Sequence, residues 1–210
     1  MASDPIMPWS TPSAPAQSSA APPRIGMPVH IETNGYVLRS LVPSDVTQRF
    51  ADWLNHSNML DGLNIPSQNF TVERLRAFVA SFDNIHNYFI GIFDKEKPVL
   101  IGFYTLDVDL RNKVGNLTSG IGEKEYAGRR VHWATTDAFL KHMFIYHDID
   151  KIVARVLAKN RPMLFNFIGN LHYVYEGCLK KQCRAPDGER VDLMLFAAFR
   201  DGSREQGTLP

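Results

Sequence analysis

The chain has 210 residues, 44% of them hydrophobic, enough apolar material for the core of one domain of ordinary size. Acids and bases are interspersed and nearly balance at +1, which excludes a large electropositive surface for nucleic acid. No apolar run approaches a membrane span, and the N-terminus lacks the basic start and apolar centre of a signal peptide, so neither anchoring nor export is expected.

Seven histidines are scattered; His142 and His147 do not share a helix face neatly and lack a third ligand, so no metal is expected. Cys178 and Cys183 are separated by an odd step within one strand or hairpin. A continuous strand would place them on opposite faces, so no disulfide is expected, in keeping with a reducing, cytoplasmic location.

Residues 1–28 are rich in alanine, proline and serine and predict a disordered tail, with Met7, Pro8 and Trp9 as its one candidate partner-binding segment. An ordered domain is expected over residues 29–200, followed by a flexible end at 201–210. Residues 36–41 read as a strand that runs into Val42, Pro43, Ser44 and Asp45, a helix-start signal. Val46, Phe50, Trp53 and Leu54 mark one face of a first helix. A second begins near Thr71 and carries Val72, Leu75, Phe78, Val79 and Phe82. The polar stretch between them, residues 55–69, reads as irregular and as the wall of a binding cleft.

Apolar segments 88–93 and 99–106 flank turn-forming residues and predict a hairpin, and residues 114–121 complete an antiparallel series. A helix with Val131, Ala134 and Ala138 at helical spacing follows. Residues 149–157 read as a further strand ending near Asn160, and Pro162 suits the first turn of a helix through Phe165, Phe167 and Ile168. Strands at 175–183 and 191–199 are joined across Pro186, Asp187 and Gly188, a strong turn signal. The order β-α-α-β-β-β-α-β-α-β-β predicts an α/β (α+β) fold: a single domain whose central mixed, mostly antiparallel sheet is flanked by helices.

Residues 120–144 carry the main chemical signal. An apolar strand passes through a short polar turn to Gly128, Arg129, Arg130 and a helix start. First-turn N–H groups have no intrahelical partner and lie at the positive end of the helix dipole, so this corner is a natural anion site. Its competing reading is an ordinary surface corner.

Several residues fall in a recognisable order: Leu38, Arg39, Ser40 and Leu41 with Phe50 and Trp53; Leu100, Ile101, Gly102 and Phe103; Glu125, Tyr126, Ala127, Gly128 and Arg129; Asn160; Glu176 and Gly177; and residues 187–192. In that order, over roughly residues 35–200, the chain resembles the GNAT-superfamily acetyltransferases, most of all the branch of ribosomal-protein N-terminal acetyltransferases. The resemblance implies acetyl-CoA as cosubstrate. Its pantetheine arm would pair with backbone around Gly120, Ile121 and Gly122, and its pyrophosphate would sit on the turn formed by Tyr126, Ala127, Gly128, Arg129 and Arg130. Asn160 matches the family asparagine beside the pantetheine arm; as a residue type it is equally a helix cap.

The sequence departs from the family at Glu125 and Arg130, the two ends of the turn pattern, and at Met163 and Phe167, where the family carries a hydroxyl donor to the leaving sulfur. Leu171 and His172 replace a Gly-Phe pair. Substitute catalytic groups are sought at His172, Tyr173 and Tyr175, with Tyr126 a further hydroxyl. Base candidates stand at the exit of the third strand, Asp107 and Asp109, with Asp109 and His172 and Tyr173 forming the expected catalytic set.

The leading expectation is an N-acetyltransferase that moves acetyl from acetyl-CoA to a primary amine by direct attack in a ternary complex. The alternative is a GNAT-like domain that has lost transfer and binds a ligand or protein partner; preference for a longer acyl-CoA is a third reading. The acceptor, whether protein N-terminus, amino sugar, amino acid or polyamine, is left open; Lys180, Lys181 and Arg184 read either as a sign of an anionic acceptor or, more commonly, as a solvated basic strand face. The family often pairs through its final strands, which makes a homodimer one arrangement to test.

Overall fold

The computed structural model describes residues 25–185 and 187–202. Met7, Pro8 and Trp9, with the rest of the expected tail up to residue 24, lie outside the described residues. Among the described residues, eight strands form one sheet in the order β1-β2-β3-β4-β5-β6-β8-β7. These are β1 (His30–Glu32), β2 (Tyr36–Ser40), β3 (Asn87–Asp94), β4 (Leu100–Asp109), β5 (Val114–Ile121), β6 (Lys151–Leu157), β7 (Val174–Arg184) and β8 (Arg190–Phe199). Only β5 and β6 pair in parallel; every other neighbouring pair is antiparallel. The expected mixed, mostly antiparallel sheet is observed.

Helices α1 (Gln48–Asn55), α2 (Ser57–Leu63) and α3 (Val72–Ala80) precede β3, α4 (Val131–Tyr146) joins β5 to β6, and α5 (Arg161–Leu164) follows β6. The sheet separates two apolar layers. On one side α1 and α3 press Phe50, Trp53, Leu75 and Val79 against Phe89 and Phe103. On the other, α4 lays Phe139, Leu140 and Met143 against Tyr104, Leu106 and Ile152. Burying a large apolar side chain stabilises by about 1.5–3 kcal/mol, so these two layers supply the main driving force for closing helices onto both faces.

The hairpins form where short polar side chains satisfy the turn backbone. Asp94 Oδ1 accepts the N–H groups of Glu96 and Lys97, each at 2.8 Å, and closes β3 onto β4. Thr47 and Thr71 cap α1 and α3 by accepting from Phe50 and Arg74.

Three expectations are corrected. Strand β1 lies in a stretch with no strand signal, because three residues are too few to show alternation. Within residues 55–69, expected to be irregular, α2 makes a short helix capped by His56 and ended by Asn64 in the left-handed region at φ 55°. Its Asn, Ser, Asp and Gly content hides the helix, and packing of Leu60 on Ile65 restores it. On α4 the buried stripe is Val131/His132, Thr135/Thr136, Phe139/Leu140 and Met143/Phe144, not the line through Ala134, which is exposed. Thr135 and Thr136 sit on that stripe because their hydroxyls bond to helix carbonyls and to Tyr104. Among the described residues no helix is long and apolar enough to cross a membrane.

Candidate functional site

A cleft opens where β5 and β6 part. Their pairing runs only from Val114–Lys151 to Leu117–Ala154. Beyond that point β5 stays bonded to β4 through Ile121, and β6 stays bonded to β8 through Leu157. Each strand follows its own antiparallel partner, and the sheet splits between them.

The backbone phase on both walls follows from the register. The Gly122 N–H donates to the Ile101 carbonyl at 3.0 Å, so Gly120 and Thr118 also face β4 and the backbone groups of Ser119 and Ile121 face the gap. On the other wall the Ala158 N–H donates to the Asp192 carbonyl at 2.9 Å, which turns the backbone of Arg155 and Leu157 to the gap. Peptide groups on both sides thus stand ready for a ligand that can lie between them like a strand.

The cavity measures about 570 Å³. Asn58, Met59, Gly62, Leu63 and Asn64, from α2 and its end, form one wall, as expected for this segment; Met163, Phe167 and the β7 residues Gln182 and Cys183 close the other side. Among the described residues, Asp107 and Arg155 are the only charged side chains in the lining. Neither has a hydrogen-bond or ion-pair partner among the described residues. Burial without a neighbouring cation raises the Asp107 carboxyl above the usual range.

Beyond the Ile121 end, the chain enters a corner whose geometry is fixed from below. The N–H groups of Gly122 and Glu123 both donate to Ile101, and Glu123 forms an ion pair with Arg49 at 3.2 Å. A side chain at Gly122 would strike the Trp53 ring, 2.0 Å from the Cβ position. After a 3-10 turn (Lys124–Tyr126), Gly128 and Arg130 adopt positive φ values of 77° and 55°. Arg130 is the N-cap of α4, and no side chain caps that helix. Arg129 lies over the Tyr126 ring, 5.1 Å from its centroid. Exposed guanidinium groups and uncapped N–H groups therefore share one surface.

Among solved structures, the chain is similar to a ribosomal-protein-S5-alanine acetyltransferase from Vibrio fischeri, with 20% identity and a TM-score of 0.71 over 82% of this chain and 97% of that one. A ribosomal L7/L12 alpha-N-protein acetyltransferase in complex with coenzyme A matches over 83% of this chain and 100% of its own, at 18% identity and a TM-score of 0.72. A spermidine N-acetyltransferase from Vibrio cholerae, in complex with CoA and spermine, matches over 80% and 97% at 16% identity and a TM-score of 0.71. The fold is that of the GNAT acetyltransferases. No family model and no curated protein matches the sequence itself.

Within this GNAT fold the sequence candidates separate. Gly120, Ile121 and Asn160 line the cleft; Gly122, Ala127, Gly128, Arg129 and Arg130 belong to the adjoining corner. Asn160 is already committed: its Oδ1 accepts from the Met163 N–H at 3.2 Å and its Nδ2 donates to the Gly62 carbonyl at 3.1 Å, tying α5 to α2. Tyr126 is buried and its hydroxyl donates to Asp94 at 2.8 Å, away from the cleft.

The expected catalytic set is not brought together. Asp109 serves the β4–β5 turn, accepting from the backbone of Arg111 and Asn112 at 3.0 Å, which holds its carboxyl below the usual range. Tyr173 is packed edge-on against Phe167 in the core, and burial pushes its phenol well above the ordinary value. His172 faces the outside of α4, with Nε2 3.7 Å from Asp137. None of the three lines the cleft. None of the β7 bases Lys180, Lys181 and Arg184 lines the cleft, and Lys180 pairs with Asp192 at 3.1 Å.

Two other side chains with suitable chemistry do line the cleft. Asp107, two residues before Asp109 and so on the same strand face, points into the cleft. Ser119 is a buried cleft hydroxyl that donates to the Met163 sulfur at 4.0 Å. Asp107 is visible in sequence as a base candidate; Ser119 gives no local signal, since it reaches the position of Met163 only across the sheet.

Proposed function

We propose that the protein is an N-acetyltransferase that moves an acetyl group from acetyl-CoA to a primary amine. The observation that carries this reading is the split of β5 from β6, which leaves backbone groups unpaired along a cleft that ends at an uncapped helix N-terminus flanked by two arginines. The thioester arm fits the unpaired edge, since its amides can bond to Ser119 and Ile121. The corner from Gly128 to Arg130 offers its pyrophosphate N–H groups and guanidinium charge.

Asp107 accepts a proton from the acceptor ammonium, and the free amine attacks the acetyl carbonyl. A carbon–nitrogen bond forms, the carbon–sulfur bond breaks, and the nitrogen's second proton passes to the departing sulfur, so that CoA leaves as the thiol. In this reading the Ser119 hydroxyl, which lines the cleft beside Met163, donates to that sulfur, which Met163 and Phe167 cannot do. Backbone N–H groups facing the gap polarise the carbonyl, and the cleft supplies rate by aligning both substrates.

Thermal unfolding with and without acetyl-CoA tests the reading. A ligand at about a hundredfold its dissociation constant stabilises by about 2.7 kcal/mol, or roughly 5–10 °C in a domain of this size. The shift should vanish when Arg129 and Arg130 are both changed to alanine, and free thiol should appear on adding an acceptor amine. Binding without thiol release, over a broad amine panel, would instead favour a CoA-binding domain that has lost transfer.

A further inference from the structure

The cleft holds one acid and one base whose side chains have no hydrogen-bond or ion-pair partner among the described residues. Asp107 on β4 lies opposite Asn116 on β5, and Asn116 lies opposite Val153 on β6. Side chains directly opposite across a sheet share a face, and so do residues two apart along a strand. Asp107, Asn116, Val153 and Arg155 therefore project from the same face. Crossing two strand spacings and advancing two residues separates the Asp107 and Arg155 α-carbons by on the order of 12 Å. Arg155 is exposed and without a partner among the described residues, and the remaining lining is neutral.

A lone guanidinium in a cleft lined by neutral groups favours an anion and disfavours a cation. A lone carboxylate at the other end favours the ammonium that must lose its proton. A polyamine would place a second positive charge against Arg155; an acceptor with an acid at the far end would satisfy both charges. Two or three extended residues span about 7–10 Å, so the spacing matches a chain amine followed by an acidic group at that distance.

We infer that Arg155 reads an anionic group on the acceptor, so that the enzyme selects a primary amine bearing an acid two or three residue-lengths away, as in an acidic peptide N-terminus. This rests on the acetyltransfer reading above and names its acceptor class. It also moves the anion-recognising role from the β7 bases to β6, because Lys180 is paired with Asp192 while Arg155 faces the cleft.

The test uses the full chain and three tetrapeptides with alanine first and acidic, neutral amide or lysine residues at positions two and three. The compound 6-aminohexanoate, with like charges and no side chains, distinguishes a small-molecule source from a peptide one. Both kcat/KM for acetylation and equilibrium binding in the presence of CoA are measured for the wild type, Arg155→Ala and Arg155→Glu. The wild type should prefer the acidic peptide over the neutral one by about tenfold, the low end for a charge-assisted hydrogen bond. Arg155→Ala should bring that ratio close to one, Arg155→Glu should invert it toward the lysine peptide, and salt should weaken the wild-type preference. An acidic-to-neutral ratio unchanged in both variants overturns the inference even if acetylation is vigorous. If no amine is acetylated, the transfer reading falls, while Arg155-dependent binding of the acidic peptide would still support the charge selection, and binding without that dependence would overturn it.

Discussion

Asp107 combines two costs that a structural residue would avoid. Its carboxylate is half-buried, and no cation or N–H group compensates. Because its folded pKa is raised, the ionised form opposes folding at neutral pH, and the protonated form relieves that cost as pH falls. Asp107→Asn should therefore raise the thermal midpoint at neutral pH while lowering kcat by about 10²–10⁴. The acid limb of the wild-type pH–rate profile should lie above the usual carboxylate range, because the base works only when deprotonated. Ser119→Ala should lower kcat without moving that limb. A midpoint that falls in Asp107→Asn would show a structural role instead.

His132 illustrates the opposite case, a titratable group that serves the core. Its Nδ1 lies 3.2 Å from the Tyr104 hydroxyl, its Nε2 is buried without a hydrogen-bond partner among the described residues, and burial lowers its pKa to about 4. The unfolded chain binds this proton near the ordinary histidine value, so stability is complete above about pH 6.5 and falls as pH drops toward 4. The loss attributable to this group is about 3 kcal/mol. His132→Phe should flatten the dependence of unfolding free energy on pH across that window; an unchanged slope would assign the acid sensitivity elsewhere, with His142 and His147 next, since burial lowers both.

At the scale of elements, the cleft exists because α1, α2 and α5 are pinned around the split. Trp53 on α1 lies directly under Gly122, and an added methyl there would meet indole carbons that cannot withdraw. Gly122→Ala should destabilise by about 1–3 kcal/mol through overpacking, read by denaturant midpoint. Gly120→Ala should cost less, because the nearest atom is the flexible end of Met59 at 2.9 Å. Asn160 joins α5 to α2 through one accepted and one donated hydrogen bond. Asn160→Ala should cost about 1–2 kcal/mol and loosen the cleft wall, seen as a higher KM for acetyl-CoA alongside the lower midpoint.

At the scale of the whole molecule, the split is a property of how eight strands share neighbours. The sheet is continuous at the Val114–Lys151 end and divided at the Ile121–Leu157 end, so one half holds shape and the other receives substrate. Hydrogen exchange should report this directly. In the free protein the amides of Ser119 and Ile121 should exchange faster than those of Thr118 and Gly120, which bond to β4. Adding acetyl-CoA should slow Ser119 and Ile121 most. Uniform protection along β5 before ligand is added would contradict the backbone phase on which the binding mode depends.

The amino-acid order by itself determined the succession of most strands and helices, the apolar faces of α1 and α3, and the strand–turn–helix corner at Gly128, but not the buried stripe of α4. Those features rest on local periodicity and on glycine, proline and aspartate at turns, which act over a few residues. It also marked residues 55–69 as a cleft wall, although not as a helix. The catalytic grouping was not legible. Asp109, Tyr173 and His172 have suitable chemistry, but turn hydrogen bonding, core packing and an outward-facing loop take each of them away from the cleft. Asp107 and Arg155 share one face of the sheet while Ser119, opposite Tyr104, projects from the other, and only the parting of β5 from β6 brings all three to the lining of one cleft. Register is set by long-range pairing across the sheet, where a slip of one residue exchanges the faces, so the tertiary structure alone decides which polar side chains meet the substrate.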